Sequence, residues 1–125
     1  EKTQMANTFK VVTFAAEPAS AGTPYKMYTV AGSTTTVVLG LILTNIHTSA
    51  VTVEVELVSD TGSRGGANNV TNGTSFLVKD VTIPAGSSLE LLSGGKVVME
   101  TTDYLNIDCS VADKVSGTLS IMEIT

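Results

Sequence analysis

Tryptophan is absent from these 125 residues, and phenylalanine and tyrosine contribute only three residues each. The core must therefore be built from Val, Leu and Ile. The broad indole platforms on which sugar-binding modules stack their ligands are missing, leaving Tyr25, Tyr28 and Tyr104 as the available phenols. Cysteine occurs once, at Cys109, so no internal disulfide can staple the chain, and a reducing compartment fits. Basic residues are scarce: seven Lys and Arg stand against twelve Asp and Glu, for a net charge of −5. No Lys/Arg cluster exists to neutralise a phosphate backbone, so nucleic acid is not an expected partner. The longest apolar run, residues 37–43, is far short of the ~20 residues a membrane helix needs, and no signal-peptide pattern opens the chain. No membrane partner is expected. Helix-forming residues at 3.6 spacing are lacking as well, which argues against a helical domain.

What is present is β chemistry. The chain carries eleven Gly, three Pro, and many Thr, Ser and β-branched residues. Its central stretch, 34–45, holds seven consecutive residues without a polar side chain, which reads as a strand covered on both faces. The following stretch, 51–57, alternates Val with Thr or Glu and reads as a half-exposed neighbour, joined to the first by the short link 46–50 as an antiparallel hairpin. Further strands are expected at 9–15, 25–30, 75–78, 81–83, 88–92, 96–100, 105–111 and 115–124. Alternation is cleanest where Leu105, Ile107, Cys109 and Val111 share one face, and Leu119 and Ile121 continue this inward set. Prolines 18, 24 and 84 fall in turns, where they remove no ladder hydrogen bond. The fold class is therefore all-β: an antiparallel two-sheet β-sandwich, Ig-like or jelly-roll, of eight or nine short strands. Residues 5–125 form a single domain of this kind. Met5-Ala6-Asn7-Thr8 looks like a natural start, with 1–4 as a processing or cloning remnant.

Several motifs invite a catalytic or metal reading and are better explained by turns and solvated faces. Asp60-Thr61-Gly62 after an apolar strand is the tripeptide of aspartic proteases, which need two carboxylates sharing a proton in a dry cleft. Here it runs straight into Ser63-Arg64-Gly65-Gly66, and an ordinary turn is the reading. Residues 60–73, with four glycines and only Ala67 and Val70 apolar, form an expected flexible projection. Its formal glycosylation acceptors at Asn69 and Asn72 read as loop composition. Glu90, Glu100, Asp103 and Asp108 lack the dense spacing of a calcium loop. His47, the sole histidine, sits in a turn without a zinc or triad partner. Cys109 lies on the apolar face of its strand, as a small buried hydrophobe. No catalytic residue, cofactor or metal is expected, and the protein is not read as an enzyme.

Apolar residues on opposite faces of one strand carry a different message. In the central stretch Val38 and Ile42 oppose Val37, Leu39, Leu41 and Leu43; in the first strand Val12 and Phe14 oppose Val11. A sandwich has one interior, so Val12, Phe14, Val38 and Ile42 are expected to meet another subunit or a partner surface.

Four stretches taken together point to a class of protein. They are Met5-Ala6-Asn7-Thr8-Phe9-Lys10, residues 33–41, residues 83–90 with their Pro84-Ala85-Gly86 turn, and residues 95–103 with Asp103 closing a turn. From Met5 onward the chain resembles small structural proteins of tailed bacteriophages, particularly of marine phages, whose β-sandwich units serve on capsids and tails. The resemblance implies a virion protein, made in the host cytoplasm and present in many copies. It further implies a homo-oligomer, with a trimer favoured, and the major capsid protein or another virion protein as partner. Capsid decoration is the expected role. A tail, neck or baseplate component is the alternative within the class, and a carbohydrate- or receptor-binding module the alternative outside it.

Overall fold

The computed structural model describes residues 6–59 and 73–125. Through these run β1 (Asn7–Glu17), β2 (Tyr25–Thr29), β3 (Thr35–Asn45), β4 (Val51–Val58), β5 (Thr74–Ile83), β6 (Ser88–Leu91), β7 (Val97–Met99), β8 (Tyr104–Cys109) and β9 (Val115–Ile124). The larger sheet has the order β1-β9-β3-β6, with β7 also paired to β3; the smaller has the order β2-β8-β4-β5. Every pairing is antiparallel, and the two sheets do not close into a barrel. The expected all-β sandwich is what the chain forms.

The interior is aliphatic, as an absence of Trp requires. Leu41, Leu43, Leu119 and Ile121 from the larger sheet meet Val53, Val55, Leu105 and Ile107 from the smaller, all at most 1% exposed. In β8 the alternation is kept strictly, with Leu105, Ile107 and Cys109 inside and Asn106 and Asp108 turned outward. Asp103 closes the preceding turn: its Oδ2 accepts the Glu100 N–H at 3.0 Å, and its own N–H donates to the Glu100 carbonyl at 3.0 Å.

Two expectations about connection are corrected. β3 and β4 are not hairpin partners: β3 pairs with β6, β7 and β9, and β4 with β5 and β8, so residues 46–50 carry the chain from one sheet to the other. The cause is the corner at Asn45, which is fully buried. Its Nδ2 donates to the carbonyls of Ser49 and Ile83, both at 2.9 Å, and its Oδ1 accepts the His47 N–H at 2.7 Å. From their separate sheets β3 and β4 each turn an apolar set into the one shared core. Residues 75–78 and 81–83 belong to one strand, β5, kinked where Asp80 takes a positive φ of 51°. β6 and β7, on either side of Gly94-Gly95, both pair with β3 and lie end to end along it.

β3 is also not covered on both faces. Its register against β9 shifts between Val38 and Gly40, a β-bulge that reverses which alternate residues point inward. Before the bulge Thr36 and Val38 are buried; after it Leu41, Leu43 and Asn45 are. The other side chains of β3 turn to the outside of the sheet.

Candidate interaction surface

The outer face of the larger sheet collects apolar groups that the core does not use. Phe9 of β1 stands opposite Met122 of β9, Met122 opposite Val37 of β3, and Val37 opposite Val98 of β7. One apolar row thus crosses four strands. Its ends are open, with Phe9 71% and Val98 60% exposed, while Met122 and Val37 between them are half-buried. Val11 stands beside the row at 62% exposure. Further along the same face Thr13, Thr118 and Ser120 make the surface polar, so the apolar patch is confined to one end. Where β3 bulges between the ends of β6 and β7, a shallow depression of about 380 Å³ opens, lined by Leu39, Gly40, Ile42, Leu92 and Thr118.

The four residues expected at a contact are divided by the fold. Ile42 faces outward at 41% exposure, whereas Val38 at 0% and Phe14 at 8% belong to the core and Val12 packs against it. Straight alternation through 37–43 grouped Val38 with Ile42, and the bulge separates them. In β1 the alternation is correct but its inner side is the one carrying Val12 and Phe14, because the Phe14 ring lies on Gly117 of β9 and edge-on to Tyr25, with centroids 5.3 Å apart. Phe9, Met122 and Val98 were not singled out from the sequence. They stand in three separate segments, and only strand pairing brings them into one row.

The tyrosines are engaged within the fold rather than offered as stacking platforms. Tyr25 packs on Phe14, and Lys26 Nζ lies 4.0 Å from the Tyr104 ring centroid. Tyr28 links the two sheets: its hydroxyl donates to Glu123 Oε2 at 2.6 Å and accepts from Thr36 Oγ1 at 2.7 Å, while Lys10 Nζ lies 2.7 Å from Glu123 Oε1. Burial, with the Glu123 hydrogen bond adding to it, pushes the Tyr28 phenol up to about 12. The hydrogen bonds from Lys10 and then Tyr28 hold Glu123 below the ordinary carboxylate range.

This network sets both limits of a pH profile. Glu123, lowered in the folded state, contributes stability that is present above its unfolded value of about 4.3 and lost as pH falls through the lower folded value. Tyr28, raised in the folded state, contributes stability that is present below about pH 10 and lost as pH climbs toward 12. Urea denaturation across pH is expected to show both limbs. Glu123→Gln is expected to flatten the acid limb, and an unchanged limb in that variant would assign it to other carboxylates.

Outside this network the candidate chemical groups among the described residues are not assembled into a site. Glu54, Asp80 and Asp108 line a depression of about 180 Å³ on the smaller sheet, but Asp108 Oδ1 accepts the N–H groups of Gly22 at 3.1 Å and Cys109 at 2.8 Å, and Glu54 holds Lys79 at 3.2 Å. Among the described residues no group of three His, Cys, Asp or Glu is placed to hold a metal ion. Glu90 lies on β6 of the larger sheet and Asp108 on β8 of the smaller, so the four carboxylates are not brought together. His47 is a turn residue bonded to Asn45, and Cys109 is 3% exposed in the core. Asp60, Asn69 and Asn72 lie outside the described residues, as do positions 60–72 of the expected projection.

No protein-family model matches this chain, and no curated protein matches it. Among solved structures the chain is similar to one from Bacillus endospore appendages, described as forming a novel family of disulfide-linked pili. The TM-score is 0.50 at 15% identity, covering 100% of this chain and 91% of that one. The likeness concerns the fold.

Proposed function

We propose that this protein is a structural subunit that acts by assembly, as a coat component of a tailed-phage virion bound to the outside of an assembled capsid shell. The observation that carries the reading is the outward apolar row Phe9-Met122-Val37-Val98, on a chain whose core is complete without it. Contiguous exposed apolar surface on a folded domain marks a place of contact with other macromolecules. The resemblance of residues 33–41, 83–90 and 95–103 to phage structural proteins supports the virion as that setting. Among the described residues the carboxylates that gather elsewhere, Asp108 and Glu54, are bonded within the fold, which favours this face for contact. A role in tail, neck or baseplate would use the same face.

The similar pilus chain supports the coarser part of the reading, since a pilus is also a repetitive assembly. Its covalent linkage does not transfer. In a filament joined by disulfides each subunit bonds two neighbours, and the single Cys109 of these 125 residues, 3% exposed, is not placed to bond either.

The test is made on particles. Quantitative mass spectrometry of virions whose genome encodes the chain is expected to find it in copy numbers commensurate with the capsomers. Val98→Asp, on an exposed site that leaves the core intact, is expected to reduce co-sedimentation with empty shells by about tenfold or more. Absence of the chain from purified particles overturns the reading.

A further inference from the structure

The free edge of β1 carries an inference that goes beyond the reading above and does not depend on it. Ala6 and Thr125 exchange both backbone hydrogen bonds, at 3.3 and 3.0 Å, and the register then runs without interruption from Asn7 opposite Ile124 to Phe14 opposite Gly117. In an antiparallel ladder such doubly bonded pairs alternate with unbonded ones. The even residues of β1 therefore bond β9, and Asn7, Phe9, Val11 and Thr13 direct their N–H and C=O groups to the other side. Among the described residues no strand pairs there. The same four residues are exposed.

Sheet edges are ordinarily blunted against pairing by short length, bulges, prolines or charges. The other edges of this sandwich are. β2 has five residues, follows Pro24 and shifts register between Lys26 and Tyr28; β5 shifts register twice and carries Lys79 and the positive-φ Asp80; β6 and β7 are short pieces set end to end. Among the edges formed by the described residues, β1 alone presents eight unbroken residues, without proline or bulge, and its single lysine is held by Glu123. A head-to-tail contact needs two open edges on each subunit, whereas a two-fold contact needs one edge pairing with itself.

We infer that β1 is a self-association edge: two copies pair β1 against β1 antiparallel about a two-fold axis, joining their larger sheets into one continuous sheet. The bonding groups lie on odd residues, so odd must stand opposite odd. Centring on Val11 sets Val11 opposite its own copy, Phe9 opposite Thr13 and Lys10 opposite Val12. Centring on Lys10 instead places two lysines face to face, which is destabilising. The registers centred on Lys10 and Val11 overlap the most of the unbroken stretch 7–14, and of these two the Val11 register is the one assigned. Because opposed residues in an antiparallel pair share a face, the apolar rows of both copies come to lie on the same side, doubling the patch. A contact one strand wide is small, so the dimer is weak in solution and is strengthened wherever copies are held side by side.

Hydrogen exchange followed by NMR, with light scattering on the same samples, tests this without altering the chain. At low concentration the amides of Phe9, Val11 and Thr13 are expected to exchange freely while those of Lys10 and Val12 are protected. At roughly millimolar protein the odd amides are expected to become protected as the mass doubles. Val11→Lys, at an exposed site, is expected to abolish both changes and leave a folded monomer. Val11→Cys is expected to cross-link to its copy under oxidation, whereas Phe9→Cys is not, since two such sites would lie roughly 13 Å apart in this register. A strict monomer at that concentration, or a trimer undisturbed by Val11→Lys, overturns the inference. Both results leave the virion reading to be decided by the content of particles.

Discussion

Asn45→Ala is expected to lower the unfolding free energy by about 3–5 kcal/mol, a large loss for a single polar substitution. Three backbone groups depend on that one side chain: the carbonyls of Ser49 and Ile83, and the N–H of His47. The bond to Ile83 is fully buried, so its carbonyl cannot turn to water when the amide is removed. A net hydrogen bond contributes on the order of 1 kcal/mol, but an orphaned buried acceptor costs about 1–3 kcal/mol, and this asymmetry makes the loss large. Asn45→Asp discriminates further. It retains the acceptor for His47 but turns a second oxygen toward two carbonyls, and is expected to be no more stable than the alanine variant. Urea denaturation with a fixed m-value is the measurement. A loss below about 1 kcal/mol would mean that solvent reaches the corner and that Asn45 does not hold the crossing between the sheets.

The second large effect is expected at Gly117, where alanine should destabilise by about 1–3 kcal/mol and valine by more. Gly117 stands directly opposite Phe14, and a methyl group built on it would coincide with the Phe14 ring. The ring has little room to yield, being 8% exposed and fixed edge-on by Tyr25. Pairing the substitutions isolates the cause: in a Phe14→Ala background Gly117→Ala is expected to be nearly neutral, giving a coupling of about 1–3 kcal/mol. Gly40 provides the contrast. Nothing lies within 4 Å of a methyl group placed there, so Gly40→Ala is expected to be neutral or slightly stabilising by thermal denaturation, although both glycines lie in the larger sheet.

These predictions fall on residues whose importance was unequally legible. Asn45 could have been noticed as a polar residue closing a long apolar strand before a polar turn, a position where Asn commonly bonds nearby backbone. Gly117 has no such signal, because its neighbour Phe14 is about a hundred residues away along the chain. The same holds for the apolar row. Phe9, Val37, Val98 and Met122 each look like ordinary strand residues, and their alignment depends on three separate registers.

The class of fold, the positions of nearly all strands, the turn-closing role of Asp103 and the inward set Leu105, Ile107, Cys109, Leu119 and Ile121 were legible in the order of residues alone. Each of these follows from alternation and turn chemistry within a few residues, and local chemistry is what a sequence displays. Which strand lies beside which was decided by the tertiary structure. The short link 46–50 was compatible with a hairpin, yet the corner held by the buried Asn45 carries the chain across to the other sheet. The phase of β3 was likewise decided there: one extra residue at the Val38–Gly40 bulge sends Val38 into the core and Ile42 to the surface. A bulge is an adjustment between paired strands, and it exists only once the partner is in place. So too with β1, whose residues specify a strand but whose open edge is a property of the finished sheet.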